Sequence, residues 1–352
     1  MQLTRRPYIQ WTTPTSAYIV WQTAQPSSSF VEYVAAGDPS NISPTPVKLV
    51  GTLKVKRHVM QLKPLRPGST YRYRVGSANT ALAQGTFQTA KLAGEPFSFA
   101  VWGDSGVGGA GQKALAAQIE RQRPDFLVHT GDLIYNRGEA KKFDPYFFRI
   151  YAPTLARVPF YGSLGNHDVG TANGQPFLDN FIFPRNGPRG LAPERNYAFD
   201  YGDAHFVVID SNLSAAQLRQ HIVPWLESDL SRSRALWKFA VFHHPPYSSG
   251  LHGDEPRTQR VLAPVFSRLK VDIVLNGHDH DYERFKPING VVYIVTGAGG
   301  AGRYPRRQTR PETARYWNGD WSFTRLSIAG RKLRGQQIST SGTIIDDWSM
   351  TK

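Results

Sequence analysis

Cysteine is absent from this 352-residue chain. Disulfides, thiolate–metal sites and a cysteine nucleophile are excluded with it. Any bound metal must be held by oxygen and imidazole nitrogen, which disfavours structural zinc and suits harder catalytic ions. Long apolar runs are missing too: no stretch approaches the roughly 18 residues of a membrane helix. The basic opening, Met1-Gln-Leu-Thr-Arg-Arg6, has no apolar segment behind it and does not read as a secretory leader as it stands. A leader removed and replaced by Met1 would look the same, so location stays open. Acidic residues are scarce, 27 against 42 Lys and Arg, for a net charge of +15. That excess fits either a solvated basic surface or attraction of anionic substrates. The basic residues are dispersed except for Arg303, Arg306, Arg307, Arg310 and Arg315. No nucleic-acid-binding motif accompanies them, so no nucleic-acid partner is expected. GxSxG and a P-loop Gly-Lys-Ser/Thr are also lacking, which removes support for serine hydrolases and P-loop nucleotidases.

What is present reads as a folded chain of about two domains. Residues 5–90 read as all-β. Thr70-Tyr-Arg-Tyr-Arg-Val75 alternates apolar or aromatic with polar side chains, the period of a half-buried strand. Similar runs occur at Ala17–Thr23 and Phe30–Val34. Leu65-Arg-Pro67-Gly-Ser-Thr-Tyr71 has the spacing of a tyrosine corner and resembles fibronectin type III sandwiches. His58 is isolated here and reads as structural, and the first domain, residues 1–92, as a scaffold. Lys91–Pro96 reads as a linker. In the second domain, residues 93–352, strands are expected at Phe97–Trp102, Asp125–His129, Pro159–Ser163, His205–Asp210, Trp237–Phe242, Val271–Leu275 and Val291–Thr296. Helices are expected at Lys113–Gln122, Asp144–Leu155, Ala215–Leu230 and Pro256–Leu269. The alternation predicts an α/β domain.

Five short blocks follow expected strands: GDSG at 103–106, GDLIY at 131–135, GNHD at 165–168, FHHP at 242–245 and GHDH at 277–280. Asp104 and Asp132 each follow a Gly, which lets the backbone approach an ion closely. Tyr135 offers a hard phenolate oxygen, Asn166 a carbonyl oxygen, and His243, His278 and His280 offer imidazoles. Taken alone, GDSG is an ordinary turn, GDLIY is weak, and a satisfied loop His competes for GNHD. In order, the blocks supply seven ligands, too many for one tetrahedral ion and suited to two ions sharing a carboxylate. Two-metal sites serve phosphoryl chemistry.

These blocks resemble the calcineurin-like metallophosphoesterases and, among them, the purple acid phosphatases, because of the Tyr in GDLIY. Gly277-His-Asp-His-Asp-Tyr-Glu-Arg284 and the His-x-Pro-x-Tyr of Trp237–Ser249 are similar to the plant-type enzymes. The two-domain layout matches as well. The resemblance implies a fibronectin type III-like sandwich before an α/β domain of two packed sheets flanked by helices. It implies an acid phosphatase acting on small phosphate monoesters. Asp104, Asp132, Tyr135 and His280 would hold ferric iron. Asp132, Asn166, His243 and His278 would hold a divalent iron, zinc or manganese, with Asp132 bridging. A metal-bound hydroxide would be the nucleophile. His167 would contact the phosphate and protonate the leaving alkoxide, with Asp168 orienting it. His252 would bind substrate, nine residues after His243. A secreted or periplasmic location is implied by the family alone.

Three departures stand out. The fourth block reads His243-His244, and either can be the ligand; the His-x-Pro-x-Tyr alignment favours His243. Asp168 stands where plant-type enzymes usually carry Glu. Without cysteine, a disulfide-linked dimer is out of reach. Two decoys remain. Gly106-Val-Gly-Gly-Ala-Gly111 fits GxGxxG, but Asp104 would face a pyrophosphate with like charge. Gly297-Ala-Gly-Gly-Ala-Gly302 is followed by Pro305 and reads as a loop whose arginines could contact substrate. His129, His205 and His221 read as structural. A phosphodiesterase on the same metals is the alternative function. A non-catalytic cell-surface binding protein is a weaker one, since a dead site has no need of seven ligands.

Overall fold

The structure, a computed structural model, describes residues 2–36, 45–77 and 80–352. Met1 of the basic opening lies outside the described residues. Five antiparallel strands form the N-terminal body: β1 (Leu3–Gln10), β2 (Ala17–Ala35), β3 (Val47–Leu62), β4 (Thr70–Ser77) and β5 (Thr80–Gln88). Their order is β1-β2-β4-β5, with β3 along β2. The runs expected as separate strands at Ala17–Thr23 and Phe30–Val34 are parts of one 19-residue strand. Its pairing with β3 slips between Gln22 and Ser27 and again between Ser27 and Ser29. Such bulges bend a strand so that it can serve two layers. The first half of β2 pairs with β1 and the second half with β4. Ile19, Trp21, Val31, Tyr33, Tyr73 and Phe87 fill the space between. At the corner, the Tyr71 hydroxyl accepts the Arg66 amide at 2.7 Å beside buried Leu65.

The rest is α/β. β6 (Phe97–Trp102), β7 (Phe126–His129) and β8 (Phe160–Gly162) run parallel. β9 (Tyr197–Tyr201), β10 (Ala204–Val208), β11 (Trp237–Val241), β12 (Ile273–Asn276), β13 (Tyr282–Phe285), β14 (Val292–Thr296) and β15 (Thr313–Trp317) form a second sheet. Its order is β15-β13-β14-β12-β11-β10-β9. In it β10, β11, β12 and β14 are parallel. β16 (Ser322–Ala329), β17 (Lys332–Ser339) and β18 (Ile344–Thr351) extend the first sheet antiparallel, giving β18-β17-β16-β6-β7-β8. The two sheets pack face to face through aromatic side chains. Phe99 stacks on Phe126 at 4.7 Å and meets Phe206 and Phe239 edge-on at 5.3 and 5.6 Å. Each such ring contributes roughly 1.5–3 kcal/mol by leaving water. The helix expected over 256–269 is two, Pro256–Val261 and Ala263–Arg268. Pro264 has no N–H to continue the ladder. The helix expected over 215–230 passes through a wider turn at Leu218–Ile222 before Val223–Arg232.

Candidate metal centre

Five parallel strands deliver the five blocks to one edge of the paired sheets. Asp104 follows β6, Asp132 follows β7, Asn166 follows β8, His243 follows β11 and His278 follows β12. Because parallel strands point the same way, residues just past their carboxyl ends converge. The backbone is forced there. Asp104, Asp132 and His278 adopt φ of 59°, 56° and 73°. Side-chain-bearing residues rarely take such angles, and they persist where the surroundings over-determine them. Gly131, before Asp132, takes a φ of 104°, while the glycines of the third and fifth blocks are required for closeness. A Cβ on Gly165 would fall 2.0 Å from Asp132 Oδ1, and one on Gly277 would fall 2.4 Å from Asp104 Oδ2.

The seven expected donors come together in two sets. Around the Tyr135 hydroxyl lie Asp104 Oδ1 at 3.1 Å, Asp132 Oδ2 at 3.2 Å and His280 Nε2 at 3.0 Å. Around His243 Nε2 lie Asn166 Oδ1 at 3.0 Å, His278 Nδ1 at 3.2 Å and Asp132 Oδ2 at 3.3 Å. The same oxygen of Asp132 belongs to both sets. The other carboxylate oxygens are held by backbone: His167 N donates to Asp132 Oδ1 at 2.8 Å, and His278 N to Asp104 Oδ2 at 2.9 Å. His243 Nδ1 donates to the Thr130 carbonyl at 3.0 Å, and His280 Nδ1 to the Gly302 carbonyl. These bonds leave each Nε2 lone pair facing the centre, the tautomer a metal ligand needs. His244, the competitor, has Nδ1 on Ser211 Oγ at 2.8 Å, and its ring packs against those of His243 and His278.

His167 stands half-buried at the mouth. Its Nδ1 donates to the Asn136 carbonyl, and its Nε2 is 3.8 Å from Asp132 Oδ2. Asp168, expected to orient it, does not. The Asp168 carboxylate is buried and accepts the amides of Leu133, Ile134 and Gly165 at 3.0–3.2 Å. It turns away from the ring because those three orphan amides in the second and third ligand loops are the nearest donors. His252 is exposed, its ring stacked on His278 at 4.3 Å. The sequence reading missed Tyr304, whose ring lies flat on His280 at 3.9 Å. The glycine run after β14 marked the loop but not this side chain.

The donor chemistry fits cations. Three acceptors surround the single Tyr135 hydroxyl, whose one proton can satisfy only one of them. Burial, then the charges of Asp104 and Asp132, push this phenol well above its usual range. It could ionise only with positive charge among the carboxylates. Burial pushes the His243 imidazole down, but Asp132 and then Asp104 overcome this and raise it to about 9. The two buried carboxylates thus create a field that seeks a cation. Burial and the neighbouring imidazoles hold His278 and His244 down, with free lone pairs. Asp104, Asp132 and His243 form one group able to hold an ion, and His243, His244 and His278 another.

The decoys resolve structurally. Gly111 of the GxGxxG run lies under the Trp321 ring, where a Cβ would come within 2.4 Å. His129 is buried, with Nε2 on Ser105 Oγ at 3.0 Å and its ring against Trp102. His58 is buried between Thr23 and Ser29, stacked on Trp21.

Two packed sheets with metal donors past the carboxyl ends of five parallel strands define a metallophosphoesterase. The family profile for calcineurin-like phosphoesterases matches residues 97–282. Profiles for the purple acid phosphatase N-terminal domain and the iron/zinc purple acid phosphatase-like protein C match 4–89 and 290–347. The chain belongs to the purple acid phosphatase family of calcineurin-like phosphoesterases, hydrolases of phosphate esters. It is 30% identical to purple acid phosphatase 21 of Arabidopsis thaliana, over 70% of this chain, and spans 58% of that relative's length. It is 28% identical to human acid phosphatase type 7, over 95% of this chain and 87% of the relative. A purple acid phosphatase from yellow lupin seeds shares the fold, with a TM-score of 0.84 at 20% identity, over 98% of this chain and 74% of that one. No helix among the described residues is long and apolar enough to cross a membrane.

Proposed function

We propose that the chain is an acid phosphatase that hydrolyses small phosphate monoesters at a two-metal centre. Asp104, Asp132, Tyr135 and His280 would hold ferric iron, and Asp132, Asn166, His243 and His278 a divalent iron, zinc or manganese. The observation that carries this reading is the shared oxygen: Asp132 Oδ2 lies 3.2 Å from Tyr135 and 3.3 Å from His243. Bound there, the ions would supply Lewis acidity to water and to the phosphoryl oxygens. His167, fixed through Nδ1 on the Asn136 carbonyl, presents Nε2 at the mouth. From that position it can hydrogen-bond the phosphoryl group and give a proton to the departing alkoxide oxygen. His252, stacked on His278, would position the ester. Relatives named acid phosphatase support the monoester assignment. A location outside the cytoplasm is part of the same proposal.

The test combines metal analysis, colour and turnover. The purified protein should carry two ions, show a visible band and hydrolyse p-nitrophenyl phosphate. Asp132→Ala should bind at most one ion and lose at least about a thousandfold in turnover. Tyr135→Phe should lose the band. A colourless protein loaded with zinc or manganese alone, cleaving diesters in preference to monoesters, would overturn the proposal.

A further inference from the structure

We propose that the arginine loop after β14 forms an anion-binding subsite beside the metal centre, with Arg307 as its ligand. The inference rests on the phosphatase reading and extends it to a substrate class. These substrates are phosphate esters whose leaving group carries a second anionic group, a carboxylate or a further phosphate.

The loop is tied to the centre at one end. The Tyr304 ring covers His280, and its amide reaches the His280 carbonyl at 3.4 Å. Further on, the amides of Arg307 and Gln308 donate to the Ser249 carbonyl at 2.9 and 3.2 Å, and Gln308 Nε2 to the Ser248 carbonyl at 3.2 Å. The segment gripped in this way carries His252, whose ring stacks on His278 and meets Tyr304 edge-on at 5.3 Å. Tyr304, His252 and Arg307 therefore share one wall of the mouth.

The other loop arginines are committed to the protein. Arg303 donates to the Asn318 carbonyl and covers Trp321. Arg306 donates to Thr313 and covers Tyr316. Arg310 pairs with Asp254 at 2.7 Å. The Arg307 guanidinium has no hydrogen bond or ion pair among the described residues. It rests over Gly253, the residue after His252, with Nη1 3.7 Å from where a Cβ would stand. A Cβ at 253 would only touch Nη1 at ordinary contact distance, but the φ of +73° there favours glycine. The loop backbone is already anchored, so binding must order only the side chain, and an unpaired guanidinium can grip a carboxylate or phosphate with two parallel bonds. Through Gly253 it adjoins His252 rather than the seven metal donors, and on this proposal its partner is the leaving group rather than the scissile phosphoryl.

The test is equilibrium binding of phosphonates, which are not hydrolysed, to the metal-loaded full chain. Propylphosphonate carries one anionic group. Phosphonopropionate adds a carboxylate, and propylene bisphosphonate a second phosphonate. The wild type should bind at least one of the last two about fivefold tighter than the first. Arg307→Ala should reduce that preference to about twofold or less, and Arg307→Lys should restore part of it. Arg315→Ala, which removes the same charge from β15, should leave the preference intact. Which compound is favoured tells carboxylate from phosphate recognition. The proposal is overturned by a wild type without preference, by a preference that survives Arg307→Ala, or by an equal loss in Arg315→Ala. Failure to hydrolyse p-nitrophenyl phosphate would count against the phosphatase reading alone, because binding decides the subsite without turnover.

Discussion

At the scale of single residues, function hangs on which atom of a side chain is free. His167 and His243 are both imidazoles near Asp132, yet they face different tasks. His243 is buried, gives Nδ1 to a carbonyl and turns Nε2 onto Asp132. His167 is half-exposed, gives Nδ1 to the Asn136 carbonyl and has Nε2 3.8 Å from Asp132. On the proposed assignment, removing it takes away a proton donor and no metal ligand. His167→Ala should therefore retain the wild-type metal content while kcat falls about a hundredfold to a thousandfold. Wild-type turnover in that variant would end the role assigned to His167. The residue types were legible in the sequence, because seven side chains of metal-ligand type in five ordered blocks are hard to read otherwise. Asp168 was misjudged for a physical reason. A carboxylate next to a His in sequence looks like its partner, but the three amides it serves belong to segments up to 35 residues away.

At the scale of elements, the strand ends make the site and the opposite ends hold the frame. His205 on β10 shows the second role. Its Nδ1 meets Asp200 on β9 at 2.7 Å, and its Nε2 meets Asp229 on the helix Val223–Arg232 at 2.6 Å. Burial pushes this imidazole down, but the hydrogen bonds to the two aspartates prevail and raise it to about 9. A folded-state value above the unfolded 6.5 means that the stabilisation is full below pH 6.5 and is lost as pH rises through about 9. Unfolding free energies from urea titrations at these two pH values should differ by about 1–3 kcal/mol in the wild type. The difference should largely vanish in His205→Gln. An unchanged slope in that variant would show that other groups set the dependence. Five of the parallel strands were legible because each is a short apolar run followed by a candidate ligand block. The hairpin of β16 and β17 was not named, although its strands alternate about Gly330, which has a φ of 54°. Its residues carry no chemistry to draw attention to the period.

At the scale of the whole molecule, the N-terminal body is docked as well as linked. The Arg5 guanidinium is buried, pairs with Asp144 at 2.7 Å, bonds Asn180 and lies 3.6 Å over the Phe148 ring. Tyr8 donates to the Asn180 carbonyl at 2.6 Å, and Tyr73 to that of Ala156 at 2.8 Å. Arg5→Ala would leave Asp144 without its partner and the Phe148 face uncovered. It should cost about 2 kcal/mol in urea unfolding and speed proteolysis between residues 88 and 97. Unchanged unfolding and proteolysis would mean that the apolar contacts alone hold the two bodies. Nothing in the sequence marked Arg5 for this role, since a pair of arginines near a terminus reads as solvated. The sequence by itself determined the chemistry. Without cysteine any metal ligands had to be oxygen and imidazole, and their order after apolar runs pointed to a two-metal centre at strand ends. Only the tertiary structure decided which oxygen is shared, which imidazole nitrogen faces inward, what Asp168 holds and which arginine is free. Those are matters of distance and direction between segments far apart in the chain, and local pattern carries no record of them.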